Sequence, residues 1–372
     1  MSWRTCRLGD VVEFRYGKSL PDRDRKQGDV PVYGSGGVGG FHNVALVSGP
    51  GVIVGRKGSV GSVFYEPRNF YPIDTTYYVA PKADLDLRYA FYLLSNLPLA
   101  SMNSDVAVPG LNRDRALGLN IKIPSKAVQK TIVKILTTYD DLIENNRRRM
   151  ALLEDSARQL YREWFVRLRF PGHEHTPIVD GVPQGWKSRT LGDLCREVRD
   201  MVLPEALEPD TPYIGLEHIP RRSISLNDWG TVEEVTSSKC RFKTGEIIFG
   251  KIRPYFHKVG VAFVDGVTSS DAIVVRPADE TVHGLVLMTM SSDEFVAVTT
   301  QQMKEGSKMP RADWKQMKAF SIPVPPPGLL KSFDDLIQPT VGQLRSLSFA
   351  NQKLRQARDL LLPRLMSGEL AV

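Results

Sequence analysis

Glycines at Gly34, Gly36 and Gly39 follow the strand-like run Val30-Pro31-Val32-Tyr33, the Gly-x-Gly-x-x-Gly spacing of a dinucleotide-binding loop. That chemistry requires the third glycine to open a helix whose N-terminus meets the pyrophosphate. Here Gly49-Pro50-Gly51 follows within ten residues of Gly39, leaving no room for a useful helix. Beyond it, the β-branched Val52, Ile53 and Val54, punctuated by Gly55, Gly58 and Gly61, read as strand, turn and strand. Two readings remain for these glycines. Either they only permit tight turns, or they let the chain approach a ligand closely, and the rest of the sequence has to decide.

Other catalytic constellations fail on spacing. No Gly-x-x-x-x-Gly-Lys-Ser/Thr is present, so a nucleotide-driven motor is not expected. The Asn/Asp-Pro-Pro-Tyr/Phe loop of an adenine N6-methyltransferase is missing, and the only proline run, Pro325-Pro326-Pro327, leads into a helical segment. A metal nuclease needs two separated carboxylates and a lysine around its ion. Asp24-Arg25-Lys26 lies too close to Pro21-Asp22, and Asp313-Trp314-Lys315 too far from Pro209-Asp210. The pair in His173-Glu174-His175 lacks the i, i+4 spacing of a helical metal site. Cys6, Cys195 and Cys240 are scattered and odd in number, which argues against a disulfide framework.

With no catalytic motif to hold, the elements become the informative level. The 372 residues suffice for two or three cores, and 49 Lys and Arg against 42 Asp and Glu lean the surface toward polyanions without requiring one. The N-terminal residues carry no apolar leader, and no apolar run approaches a membrane span, so a soluble, cytoplasmic protein is expected.

The chain is written twice. Trp3, Leu8, Gly9 and Asp10 return as Trp186, Leu191, Gly192 and Asp193. The run from Tyr71 to Lys82 is answered by Val267 to Ala278, aligning Asp74 with Asp271, and Leu119–Pro124 is answered by Phe320–Pro325. Matches in one order mean a duplication. Each copy ends in a long helical segment. In the first, Ile132, Leu136, Tyr139, Ile143, Asn146, Met150, Leu153, Ala157, Leu160 and Trp164 keep a 4,3 spacing without a slip, a heptad seam. The second, from Phe333 through Ile337, Leu344 and Asn351 to Leu365, is less regular, and Pro339 with Gly342 is expected to kink or interrupt it. Two such stripes bury most simply against each other. Asn146 and Asn351 both fall on the seam, where they either pair and set register or turn to solvent. Arg147, Arg148 and Arg149 read as a solvated helix surface. The expected fold is α+β, with two similar domains separated by two long helices that pair as an antiparallel coiled coil. A ligand with two spaced half-sites would suit it, and duplex DNA is the obvious candidate.

At this point the sequence resembles the specificity subunit of a type I restriction-modification system along its whole length. The resemblance rests on Leu142–Gly172, Val182–Leu194, Tyr213–Ile219 and Arg358–Leu370, which occur in the family's order. It implies a first target-recognition domain over 1–124, a long helix over 125–168, a linker over 169–185, a second recognition domain over 186–328 and a second long helix and tail over 329–372. Each domain would read half of a bipartite, asymmetric target. The helices would hold the gap and dock two adenine methyltransferase subunits, with restriction and translocase subunits joining the full complex. The chain would bind no cofactor; S-adenosylmethionine, ATP and magnesium would belong to its partners. The glycines beside Arg56, Lys57 and Ser59 would then let a loop approach a sugar–phosphate backbone. Lys251, Arg253, Tyr255, His257 and Lys258 would do the same in the second copy, with Lys308 and Arg311 near its end. Arg56, Arg253 and Arg311 suit guanine edges best. The competing class is a coiled-coil adaptor with two protein-binding ends, or the recognition module of a combined nuclease–methyltransferase.

Overall fold

The computed structural model describes residues 3–82, 85–102, 110–301 and 310–372. The chain forms two compact units, Met1–Ile143 with Lys353–Val372, and Glu144–Gln352.

The first unit is built around β5 (Gly51–Gly55), whose three β-branched residues are all fully buried. Its described residues hold the strands β1 (Arg4–Arg7), β2 (Val12–Tyr16), β3 (Val30–Gly34), β4 (Gly37–His42), β5, β6 (Val63–Glu66), β7 (Tyr71–Pro72), β8 (Thr76–Pro81) and β9 (Asn120–Ile123). They make a four-stranded sheet in the order β2-β8-β5-β6, a three-stranded sheet β4-β3-β7 and a two-stranded clasp β1-β9. Helix α1 (Leu87–Ser95) covers β5 and β6, and starts where the Asp86 side chain accepts from the Arg88 and Tyr89 N–H groups. The short α2 (Arg113–Leu117) is capped by Asn112 in the same way.

A helix α3 (Lys126–Tyr161) follows, continued as a π-type turn through Arg162–Val166. The second unit then holds a small hairpin of β10 (Ile178–Val179) and β11 (Val182–Pro183), β12 (Lys187–Thr190), α4 (Leu191–Leu194), β13 (Cys195–Val198), β14 (Met201–Val202), β15 (Pro212–Ile214), β16 (Ser225–Leu226), β17 (Gly230–Thr231), β18 (Lys239–Phe242), β19 (Ile247–Gly250), β20 (Val259–Ala262), β21 (Gly266–Thr268) and β22 (Ala272–Pro277). Helices α5 (His283–Met290), α6 (Asp293–Gln301) and α7 (Trp314–Met317), the strand β23 (Ser321–Val324) and helix α8 (Pro327–Ser367) complete the chain. The order β13-β22-β19-β20-β16 repeats β2-β8-β5-β6 with one added strand, and β12-β23 repeats the β1-β9 clasp. A separate sheet, β14-β18-β21-β15-β17, takes the place of the three-stranded one. The two domains are thus similar in core and different in their second sheet.

The two long helices pair antiparallel within each unit. In the first, Ile132 and Leu136 share a buried cluster with Leu365 and Met366, and Arg358 Nη1 donates to Asp140 Oδ1 at 2.7 Å. In the second, Asn146 Nδ2 donates to Asn351 Oδ1 at 3.0 Å, and Trp164 lies 5.5 Å from Phe333. Every buried Leu or Ile of this seam contributes roughly 1.5–3 kcal/mol. The expected interruption at Pro339 and Gly342 does not occur, since α8 runs through both. Pro339 and Asp335, whose carbonyl loses its intrahelical donor, are both exposed, so water can donate to the vacated carbonyl. Ile337 and Leu344 are fully buried on the opposite face and hold the helix straight through. Gly368, in the left-handed region, ends it.

Candidate nucleic-acid interface

The glycines that opened the question form a hairpin. β3 turns through Ser35 and Gly36 into β4, so no helix follows and no N-terminus is offered to a pyrophosphate. The next glycines serve the connection between β5 and β6. Gly61 has φ +75°, and a Cβ there would sit 2.3 Å from the Ala100 backbone nitrogen, so only glycine fits.

Arg56 begins this connection. Its N–H donates to Thr75 O at 2.9 Å and its Nη1 to Asp74 O at 3.0 Å. The guanidinium lies 5.0 Å from the centre of the Tyr16 ring, and Arg113 approaches the same ring at 6.0 Å. Tyr16 is half exposed, so a ring at the end of β2 that is open to solvent has two cations beside it. Behind it, burial pushes the Tyr77 hydroxyl up to about 12, and the group donates to Leu111 O at 3.2 Å. Lys57 pairs by backbone with Gly110, and Lys57 and Ser59 are both exposed. Arg56, Lys57 and Ser59 therefore share a rim with Tyr16 and Arg113. Sequence reading missed the latter two, although an aromatic at a strand end beside Gly17 is a usable signal.

In the second unit, Lys251 starts the β19–β20 connection. Its N–H donates to Asp271 O at 2.8 Å and its Nζ to Ser270 O at 3.0 Å. Ile252 pairs with Arg311, and the Arg253 N–H donates to Pro310 O at 3.0 Å, which brings Lys251, Arg253 and Arg311 together. Arg311 is held by Asp271 at 2.9 Å. Tyr255 projects half exposed, edge-on to Phe256 at 5.0 Å, and Arg221, also missed from sequence, stacks 4.0 Å over the Phe256 ring.

Two of the expected contacts point inward. His257 is buried, with Nε2 on Ser291 O at 2.8 Å, and burial lowers its pKa. Lys258 Nζ donates to Leu216 O, and burial, then the charge of Arg221, lowers its pKa. Both anchor the loop instead of facing a ligand, because their side chains leave the backbone on its core side. Lys308 lies outside the described residues. The ladders also correct the repeat alignment by one position: Gly55 faces Thr76 and Gly250 faces Ala272, so Asp271 corresponds to Thr75 and not to Asp74. Both domains carried an aspartate near the turn, and sequence alone could not place the slip. Among the described residues no His, Cys, Asp or Glu cluster could hold a metal ion, all three cysteines are free thiols, and no helix is long and apolar enough to cross a membrane.

Two domains of one core topology, each offering the same connection with different side chains, define an internally duplicated protein. The family model for the type I restriction modification DNA specificity domain matches residues 1–155 and 183–329, and the chain belongs to that family. It is 22% identical over 312 residues to the type I restriction enzyme MjaIX specificity subunit of Methanocaldococcus jannaschii, covering 79% of this chain and 71% of that one. To the EcoDI specificity subunit of Escherichia coli it is 21% identical, covering 88% and 78%. The fold is shared with the type I restriction-modification S subunit from M. genitalium, at TM-score 0.63 and 15% identity over 98% and 96% of the two chains. The protein is accordingly a DNA-recognition subunit of a restriction-modification system and not its catalyst. The adaptor reading has no support among these relatives.

Proposed function

We propose that each unit reads one half of a bipartite, asymmetric duplex target. The rim of Arg56, Lys57 and Ser59 with Tyr16 and Arg113 faces one half-site, and the rim of Lys251, Arg253, Tyr255 and Arg311 faces the other. The observation that carries this reading is that two independent units place cations on the same strand connection with an exposed aromatic beside them, Tyr16 from the end of β2 in one and Tyr255 from the connection itself in the other. Cations there neutralise phosphates, and the aromatic faces suit stacking or groove contact. The paired helices set the gap and dock two methyltransferase subunits, with restriction subunits joining them. The chain itself holds no cofactor; S-adenosylmethionine, ATP and magnesium act on the partners, in the cytoplasm.

The experiment is a domain exchange assayed by methylation. Replacing residues 1–124 with the first domain of another family member is expected to change one half of the methylated motif and leave the other. A change in both halves would overturn the modular reading. Binding by the assembled complex is expected to weaken steeply with salt; flat salt dependence would remove the phosphate contacts from the proposal.

A further inference from the structure

This inference rests on the two rims facing DNA, and it sorts their cations by what the duplication shares. The two connections open and close on the same hydrogen bonds, Gly55 N to Ser62 O at 2.7 Å and Gly250 N to Lys258 O at 2.8 Å. Their first residues, Arg56 and Lys251, are held alike. Each gives its N–H to the turn before the neighbouring strand of the sheet, β8 or β22, and its side-chain cation to the carbonyl one residue earlier. Each also accepts, through its own carbonyl, the N–H of Leu111 or Ala312 at 2.9 Å. One position of one scaffold therefore carries a pinned cation in both units.

Beyond that position the connections part. Each has two left-handed backbone positions: Gly58 (φ +77°) and Gly61 in the first unit, Arg253 (φ +50°) and His257 (φ +54°) in the second. Left-handed backbone is strained for any residue with a Cβ, and such strain persists where something else requires the side chain. For His257 the requirement is visible, since its ring closes the bond to Ser291 inside the core. Arg253 has no such anchor. It is exposed, its guanidinium lies 5.9 Å from the Phe256 ring, and among the described residues no carboxylate pairs with it. It keeps a strained conformation where the sister loop uses glycine, and among the described residues its side chain meets only the Phe256 ring while its N–H bonds Pro310 O.

We propose that Arg253 reads a base edge in the half-site of the second unit, while Arg56 and Lys251 hold the sugar–phosphate backbone in both. A contact made in the same geometry by both units cannot distinguish two different half-sites; a contact only one unit makes can. The guanidinium fork of Arg253 matches the O6 and N7 acceptors of guanine. Of the exposed arginines beside it, Arg311 is committed to Asp271 and Arg221 to the Phe256 ring.

The test uses the chain assembled with its methyltransferase subunits, a DNA library randomised in both half-sites, salt titrations of binding, and thermal melting. Arg253→Gly is expected to melt at the same temperature or higher. One position of one half-site should lose roughly tenfold or more of its base preference, with the other half unchanged. Arg253→Lys should keep the salt slope and lose the same preference, because an ammonium cannot form the fork. Arg56→Ala and Lys251→Ala should lower methylation evenly across the library and reduce the salt slope by about one each. The assignment is overturned if Arg253→Gly leaves the motif intact, or if Arg56→Ala or Lys251→Ala relaxes a base position. If none of the variants alters salt-dependent binding or the motif, the rims do not face DNA and the underlying reading fails with it.

Discussion

The clasp that closes each unit and the rim that crowns it have diverged to different degrees. In the clasp, β1 against β9 and β12 against β23 pair four residues each, and the Leu8 N–H meets Leu119 O at the same 2.8 Å as the Leu191 N–H meets Phe320 O. Asp10 accepts from the Arg7 N–H and Asp193 from the Thr190 N–H, again at 2.8 Å in both. The rims share a backbone scaffold and a pinned cation at their first residue, and beyond that residue their side chains differ. What separates the two regions is the direction of the side chains. Leu8 and Leu191, which follow the largely exposed clasp strands β1 and β12, are fully buried against neighbours that leave little latitude, whereas rim residues end in solvent, where a change of chemistry leaves the fold intact.

The comparison can be broken first at the clasp. Leu8→Ala and Leu191→Ala are each expected to cost about 2–5 kcal/mol, by similar amounts, because each empties a fully enclosed site. Chemical denaturation followed by a fluorescent probe in each unit would measure it, and a loss confined to one of the two would end the equivalence. A middle-sized effect is expected in the helix pair. Asn351→Ala leaves the Asn146 amide without its partner and should cost about 1–2 kcal/mol. Replacing both asparagines with leucine should instead raise the melting temperature and loosen the register, seen as a broader range of tolerated gaps between half-sites. No change in gap tolerance would show that register is set elsewhere on the seam.

The smallest effect is electrostatic and belongs to one rim only. Burial depresses the His257 pKa below its ordinary 6.5, opposed by the Ser291 carbonyl and Asp293, and reinforced by Arg222 and Arg158. The unfolded chain therefore takes up this proton at a higher pH than the folded one. The stability from neutral His257 is full above about pH 6.5 and falls as pH drops from there toward the depressed folded value. His257→Asn should flatten that slope in the second unit, read by hydrogen exchange near β20, while the equivalent Gly61 region of the first unit shows no such dependence. Equal slopes in wild type and variant would assign the titration to another group.

Much of this organisation is legible in the residues alone, for physical reasons that differ by element. Periodicity revealed the helices because a buried stripe must recur every three or four positions: Ile132, Leu136, Ile143 and Met150 are all buried. Repetition revealed two domains because the clasp tolerates so little change that Trp3, Leu8, Gly9 and Asp10 were still readable in the second copy. The continuity of α8 through Pro339 was not legible, since it depends on which face of the helix the proline occupies, and only packing decides that.

The sequence by itself determined the duplicated α+β plan, the paired helices, the family resemblance and the region of each domain where cations gather. Only the tertiary structure decided which of those cations are available. His257 and Lys258 are turned inward by Ser291 and Leu216, residues 34 and 42 positions away, and Tyr16 meets Arg56 across a similar separation and Arg113 across a much longer one. Exposure is a property of contacts between distant segments, so it cannot be read from a residue's own type or from its neighbours in the chain.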